Sequence, residues 1–257
     1  MKELKIVILI AVITACCYTA SLKAIITDGE KLTFNIKYGV VSAAEASLEV
    51  RSSTFNDKPV WLITSNAKTY PFFDSFFKVR DTVQSWWEKE NLRSLRFSKR
   101  LNEGKYQQYR VHTYNHDNKT STYQRWDFKK QTFKTKEIAI PANTQDILSS
   151  FYYVRQQDLV PGSNVMVDIT TDGKSYKTQV AVHRRETIDS IFGKKDCLVI
   201  EPLLKSEAVF KQSGRILIWI TDDEYKVPLK MTSQITVGAF TALLKDAVNV
   251  PYPIVQN

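Results

Sequence analysis

Leu32-Thr33-Phe34-Asn35-Ile36-Lys37-Tyr38 alternates apolar and polar residues with a period of two. Leu32, Phe34, Ile36 and Tyr38 then point one way and Thr33, Asn35 and Lys37 the other, the pattern of a strand with one buried face. After a link of mostly small residues from Gly39 to Ala44, Ala46, Leu48 and Val50 alternate with Ser47, Glu49 and Arg51, so the two strands read as a hairpin.

Outward from that pair, extended stretches follow near residues 59–66, 78–88, 95–102, 106–115, 120–128 and 132–140. Asn102-Glu103-Gly104 and His116-Asp117-Asn118 supply residues that tolerate positive φ or bond the local backbone, as tight turns require. Asp172-Gly173 is a two-residue hairpin signal between Asn164–Thr171 and Lys174–His183. Strands near 195–203, 215–221, 226–237 and 239–246 complete the set. Arg215 to Ile220 is nearly all apolar and reads as a central strand, while Val227, Leu229, Met231, Ile235 and Val237 alternate. Pro228 falls on the outward face of that pattern, which predicts an edge or a bulge.

Two segments break the alternation. Tyr70 to Phe77 packs five aromatics into eight residues, and Pro71 suits a first helical position. Asn143 to Gln157 reads as the better helix: Asn143 or Thr144 caps it, Asp146 suits its positive end, and Ile147, Leu148, Phe151 and Val154 fall at helical spacing. The prediction is a mainly β protein, one domain over residues 25–257. It has a single antiparallel sheet, strongly curved or closed into a barrel, with one or two short helices.

A chain of 257 residues with 43% hydrophobic content can bury a large core, which excludes the disordered classes. Residues 1–24 carry a basic start (Lys2, Lys5), an apolar run from Ile6 to Ala15, and then cysteines and small residues. This is an export signal rather than a spanning helix, which needs roughly 20 apolar residues. Ile13-Thr14-Ala15-Cys16 resembles the bacterial lipobox, in which cleavage precedes a lipid-modified cysteine; cleavage after Ser21 or Ala24 is the alternative. The expected address is the periplasm or the outer membrane, with membrane association only through a lipid on Cys16. The formal charge of +9 includes +2 from residues 1–24. Export makes nucleic acid an unsuitable partner and anionic envelope surfaces suitable ones. With cleavage after Ser21 or Ala24 only Cys197 remains, read as a small buried hydrophobe on a strand rather than a nucleophile.

The sequence carries no reaction signature. His112 and His116 stand four residues apart, about 13 Å along a strand, too far to share a metal unless the turn folds back. Asp222-Asp223-Glu224 reads first as a turn whose carboxylates bond the backbone, and as a calcium-binding or acid-base cluster only in the alternative. Ser149-Ser150 lacks a nucleophile elbow, and there is no glycine-rich phosphate loop. No cofactor or metal is implied. The aromatics are more suggestive, since such residues line the mouths of β-barrel cavities as well as filling cores. The residues assigned to a ligand-binding role are Phe73, Asp74, Phe77, Trp86, Phe151, Tyr152 and Trp219.

Gly29-Glu30-Lys31-Leu32, Phe73-Asp74-Ser75 before Val79 and Asp81, Asp146-Ile147-Leu148-Ser149-Ser150-Phe151-Tyr152-Tyr153-Val154-Arg155, and Leu217 to Asp223 with Val227-Pro228 together resemble the exported bacterial family called domain of unknown function 3108. The resemblance covers nearly all of the chain after the signal. It implies an envelope protein of antiparallel β fold and brings no catalytic residues. The outline is also similar to that of the lipoprotein-carrier proteins of the Gram-negative periplasm, a likeness of fold alone. Three functions follow as expectations. The first is a noncatalytic envelope protein holding a lipid or other amphipathic ligand. The second is an assembly protein that docks on an envelope partner. The third is a hydrolase or glycan-active enzyme using Asp222, Asp223 or Asp74.

Overall fold

The computed structural model describes residues 26–203, 214–234 and 238–255. The signal segment with Cys16, and Ile235 and Val237 of the predicted alternation, lie outside the described residues. In chain order the elements are β1 (Lys31–Tyr38), β2 (Val41–Phe55), β3 (Lys58–Thr69), α1 (Pro71–Phe77), β4 (Arg80–Glu88), β5 (Ser94–Glu103), β6 (Tyr106–Asn115), β7 (Thr120–Asp127), β8 (Thr132–Ala139), α2 (Ile147–Arg155), β9 (Asn164–Thr171), β10 (Lys174–Ser190), β11 (Gly193–Leu203), β12 (Ile216–Thr221), β13 (Pro228–Gln234) and β14 (Ala239–Val248).

All fourteen strands join one antiparallel sheet in the order β8-β7-β6-β5-β4-β3-β2-β1-β14-β13-β12-β11-β10-β9. The β1–β2 pair predicted from the alternation stands at its centre, with Leu32 opposite Leu48 and Phe34 opposite Ala46. The sheet curls but does not close, because β8 and β9 remain edges. The curl brings the β9–β10 turn against β6, where the Gly173 N–H donates to His112 Nε2 at 3.1 Å. Edge β8 carries Lys134, Lys136 and Glu137 on an exposed strand, charges that discourage pairing with another chain.

Because every neighbouring pair is antiparallel, each turn falls on one of two rims. Tyr38 pairs with both Val41 and Phe240, Ala44 with Thr69, and Thr82 with Arg100. The β1–β2, β5–β6 and β7–β8 turns, α1 and the start of β14 therefore share one rim, called here the α1 rim. The β2–β3, β4–β5, β6–β7 and β12–β13 turns share the other.

Helix α2 lies on the concave face. Val50, Ile63, Trp87 and Tyr152 form one buried cluster beside it, and Val154, Val167, Ile169, Val182, Leu198, Ile200 and Ile220 belong to another. On β11 and β12 the alternate residues Cys197, Val199 and Trp219 point to the opposite face and are buried in a cluster against which Tyr252 packs.

Two local expectations need correction. The cap of α2 is Asp146, not Asn143 or Thr144, because the helix begins at Ile147. Pro228 is buried and faces the concave side. It is accommodated inside the sheet by a register shift opposite Trp219 and Ile220, so the predicted bulge is present and the edge is not.

Candidate functional site: an apolar hollow over helix α2

The site is built by the way α2 is held. At its N-terminus Asp146 Oδ1 accepts from the backbone N–H groups of Leu148 and Ser149, both at 2.8 Å, and Ser149 Oγ accepts from the Asp146 N–H at 3.0 Å. This reciprocal capping satisfies donors that the first helical turn leaves open. Asp146 Oδ2 accepts from Ser85 Oγ at 2.6 Å and from Ser94 Oγ, tying the cap to β4 and β5. Burial pushes the Asp146 carboxyl upward, and these four donors act in the opposite direction. At the other end Arg155 Nη1 and Nη2 donate to the two Glu30 oxygens at 2.7 and 2.9 Å, and Nη2 also donates to the Tyr225 carbonyl at 2.8 Å.

Between these anchors Ile147, Phe151 and Val154, at helical spacing, and Leu148 beside them face a half-open cavity of about 360 Å³. Its walls come from alternate residues of strands on both halves of the sheet, including Phe34, Ile36, Ala46, Leu48, Val167, Val180, Ile200, Ile218 and Ala242. Ser150 satisfies its own hydroxyl by donating to the Ile147 carbonyl at 2.9 Å. No carboxylate or histidine lines the hollow among the described residues. Lys230 borders it, but its ammonium sits 4.4 Å from the centre of the Trp219 ring, on the opposite face of the sheet. The hollow therefore offers dispersion contacts and desolvation of an apolar group.

The residues assigned from sequence scatter around this geometry. Phe151 lines the hollow, whereas its neighbour Tyr152 turns into the Trp87 cluster. Trp86 lies on the convex face between Phe55 and Arg96, because the next residue, Trp87, takes the concave one. Trp219 belongs to the opposite-face cluster. Phe73, Asp74 and Phe77 are on α1: Asp74 accepts from Thr69 Oγ1 and pairs with Arg80, which holds its carboxyl below the usual range, and Phe77 lies against Gly104. The wall residues of β1 and β2 are legible in the sequence as one apolar face, but alternation is identical for a filled core and a lined hollow.

Three polar residues singled out in the sequence are engaged in local contacts. His112 Nε2 accepts from Gly173, so Nδ1 carries the proton and donates to Ser121 Oγ at 2.9 Å. Burial pushes the His112 imidazole down to about 4. Asp223 Oδ1 accepts from Thr221 Oγ1 and from the backbone of Tyr225 and Lys226, the turn predicted for the acidic run. Asp222 pairs with Arg185. These two carboxylates stand on the rim opposite Asp74 and share no cleft with it. Among the described residues no group of three potential metal ligands converges, and no helix is long and apolar enough to cross a membrane.

A curled, open antiparallel sheet wrapped over a helix and an apolar hollow defines a β-barrel-like protein. The chain belongs to the family described as protein of unknown function (DUF3108), whose model matches residues 33–245. No curated protein matches it. Among solved structures it is similar in fold to the β-barrel-like protein of domain of unknown function DUF1849 from Brucella abortus. The TM-score is 0.54 at 8% identity, covering 88% of this chain and 100% of that one. A protein with YmcC-like fold from Bacteroides fragilis, described as exported, gives 0.31 at 7% identity over 88% of this chain and 99% of its own. One from Parabacteroides distasonis, described as a lipoprotein, gives 0.29 at 10% over 86% and 96%.

Proposed function

We propose that this is a noncatalytic cell-envelope protein that holds the apolar part of a lipid or other amphipathic ligand in the hollow over α2. The observation that carries the reading is the cavity of about 360 Å³ with no ionisable group among the described residues turned into it. That volume is in the range of small-molecule sites, and its lining suits an acyl or other hydrocarbon moiety whose polar end stays outside. The basic and apolar start of the chain supports export, to the periplasm or, with Cys16 lipidated, to a membrane surface.

The test is native mass spectrometry of protein purified from its own envelope, beside an Ala46→Trp variant that fills the hollow. The reading expects a lipid-sized adduct on the parent, lost from the variant while its fold is retained. Protein without adduct that also fails to bind cis-parinaric acid would overturn it.

A further inference from the structure

We infer that the α1 rim is a docking surface for an anionic lipid bilayer. Among the described residues all eight exposed aromatics lie along this one rim: Tyr38, Phe72, Phe76, Phe77, Tyr106, Phe128, Phe133 and Phe240. Phe72 and Phe76 are 71% and 74% exposed, and Val40 in the adjacent β1–β2 turn is 92% exposed. The large apolar residues exposed away from this rim, among them Val248 and Val255, include no aromatic among the described residues. A core does not explain α1, which buries no residue fully although four of its seven are phenylalanine.

Several of these residues are in contact or lie on adjoining elements. The Phe72 ring contacts those of Phe73 and Phe76, and Phe77 lies on Gly104 of the β5–β6 turn. The Tyr70 N–H donates to the Ala43 carbonyl at 3.1 Å beside the β1–β2 turn, where Tyr38 packs on Phe240 at 5.3 Å. Exposed apolar surface concentrated on one rim in this way marks an interaction site.

Charge selects the partner. Lys78, Lys105, Lys129 and Lys130 stand exposed on the same rim and make no ion pair among the described residues. The rim's acids are neutralised or withdrawn: Asp74 pairs with Arg80, Asp127 with Lys134 at 2.9 Å, and Glu103 is half-buried beside Asp81. Aromatic rings at headgroup depth flanked by unpaired lysines are the chemistry of an anionic membrane interface. The geometry also has a consequence for the hollow. Helix α2 is anchored toward the opposite rim through Ser94 and Glu30, while Ile36, Ala46, Ser65, Pro202, Ile216 and Ala242 line the cavity from the halves of their strands nearer α1. Docking by this rim turns the hollow's α1 side toward the bilayer.

The test uses the exported, processed chain with its native N-terminus. A tryptophan is placed on either rim, by Phe76→Trp or, at the end of β14 opposite Lys31, by Val248→Trp, and read with vesicles of phosphatidylcholine containing one-third phosphatidylglycerol and a brominated lipid. The emission added by Phe76→Trp is expected to shift blue and to be quenched at least twofold more than that added by Val248→Trp, whatever tether the N-terminus supplies. Phosphatidylcholine alone, or Lys78, Lys105, Lys129 and Lys130 all changed to Glu, should abolish the difference with the circular dichroism spectrum unchanged. Equal quenching on both rims, no dependence on anionic lipid, or a blue shift of the Phe76→Trp variant only with an added envelope protein would each overturn the inference. None of these readouts needs a ligand in the hollow, so this inference and the cavity reading fail separately.

Discussion

Arg155 and Glu30, 125 residues apart in the chain, meet as a buried two-bond ion pair at 2.7 and 2.9 Å. Both side chains are almost fully removed from solvent. The pair fastens the end of α2 to the residue that precedes β1, so it sets where the helix sits over the sheet. Such a pair specifies an arrangement more than it stabilises one, because desolvating both charges offsets most of their attraction.

Removing one partner leaves the other charge buried and alone. Arg155→Met or Glu30→Leu is therefore expected to cost about 3–5 kcal/mol. The double variant Glu30→Leu/Arg155→Met should recover much of that loss. Urea unfolding of the four proteins measures the coupling, and additive losses would contradict it.

Asp146 does two jobs with one carboxylate, capping α2 and gathering the Ser85 and Ser94 hydroxyls. Asp146→Ala strips the cap, worth about 1 kcal/mol, and leaves two buried hydroxyls without their acceptor, at about 1–3 kcal/mol each. Asp146→Ser, which keeps the cap alone, should lie between Ala and the parent in thermal stability.

His112 gives the protein an acid limit. Its folded-state value, pushed to about 4, lies below the ordinary 6.5, so the unfolded chain binds the proton more readily. Stability from this site is complete above about 6.5 and falls as the pH drops toward 4, by an amount on the order of 2–3 kcal/mol. His112→Gln should flatten the dependence of unfolding free energy on pH across that window; an unchanged slope would show that another group sets it.

Cys197 is buried, and burial pushes its thiol up to about 12. The thiolate is the reactive form, so iodoacetamide at pH 8 is expected to leave Cys197 unmodified in the folded protein and to label it fully in denaturant. Peptide mapping distinguishes this site from cysteines near the N-terminus.

The alternation from Leu32 to Tyr38 and its continuation through Val50 made the central hairpin legible, because a period of two has one structural meaning when one face is buried. The Asp172-Gly173 turn and the apolar spacing of α2 were legible for the same local reason. Trp86 and Trp87 were not, since adjacent strand residues face opposite ways and composition does not say which face is concave. Pro228 misled because its missing N–H suggests an edge, while a register shift can accommodate the same residue inside a sheet.

By itself, then, the sequence determined the antiparallel strands, the helix with Asp146 near its start and the buried Cys197, all properties of short range. Only the tertiary structure decided that the sheet stays open, that Glu30 reaches Arg155, that a hollow remains over α2 and that the exposed aromatics share one rim. These depend on contacts between distant segments and on the volume left when their side chains meet, quantities that periodicity does not encode.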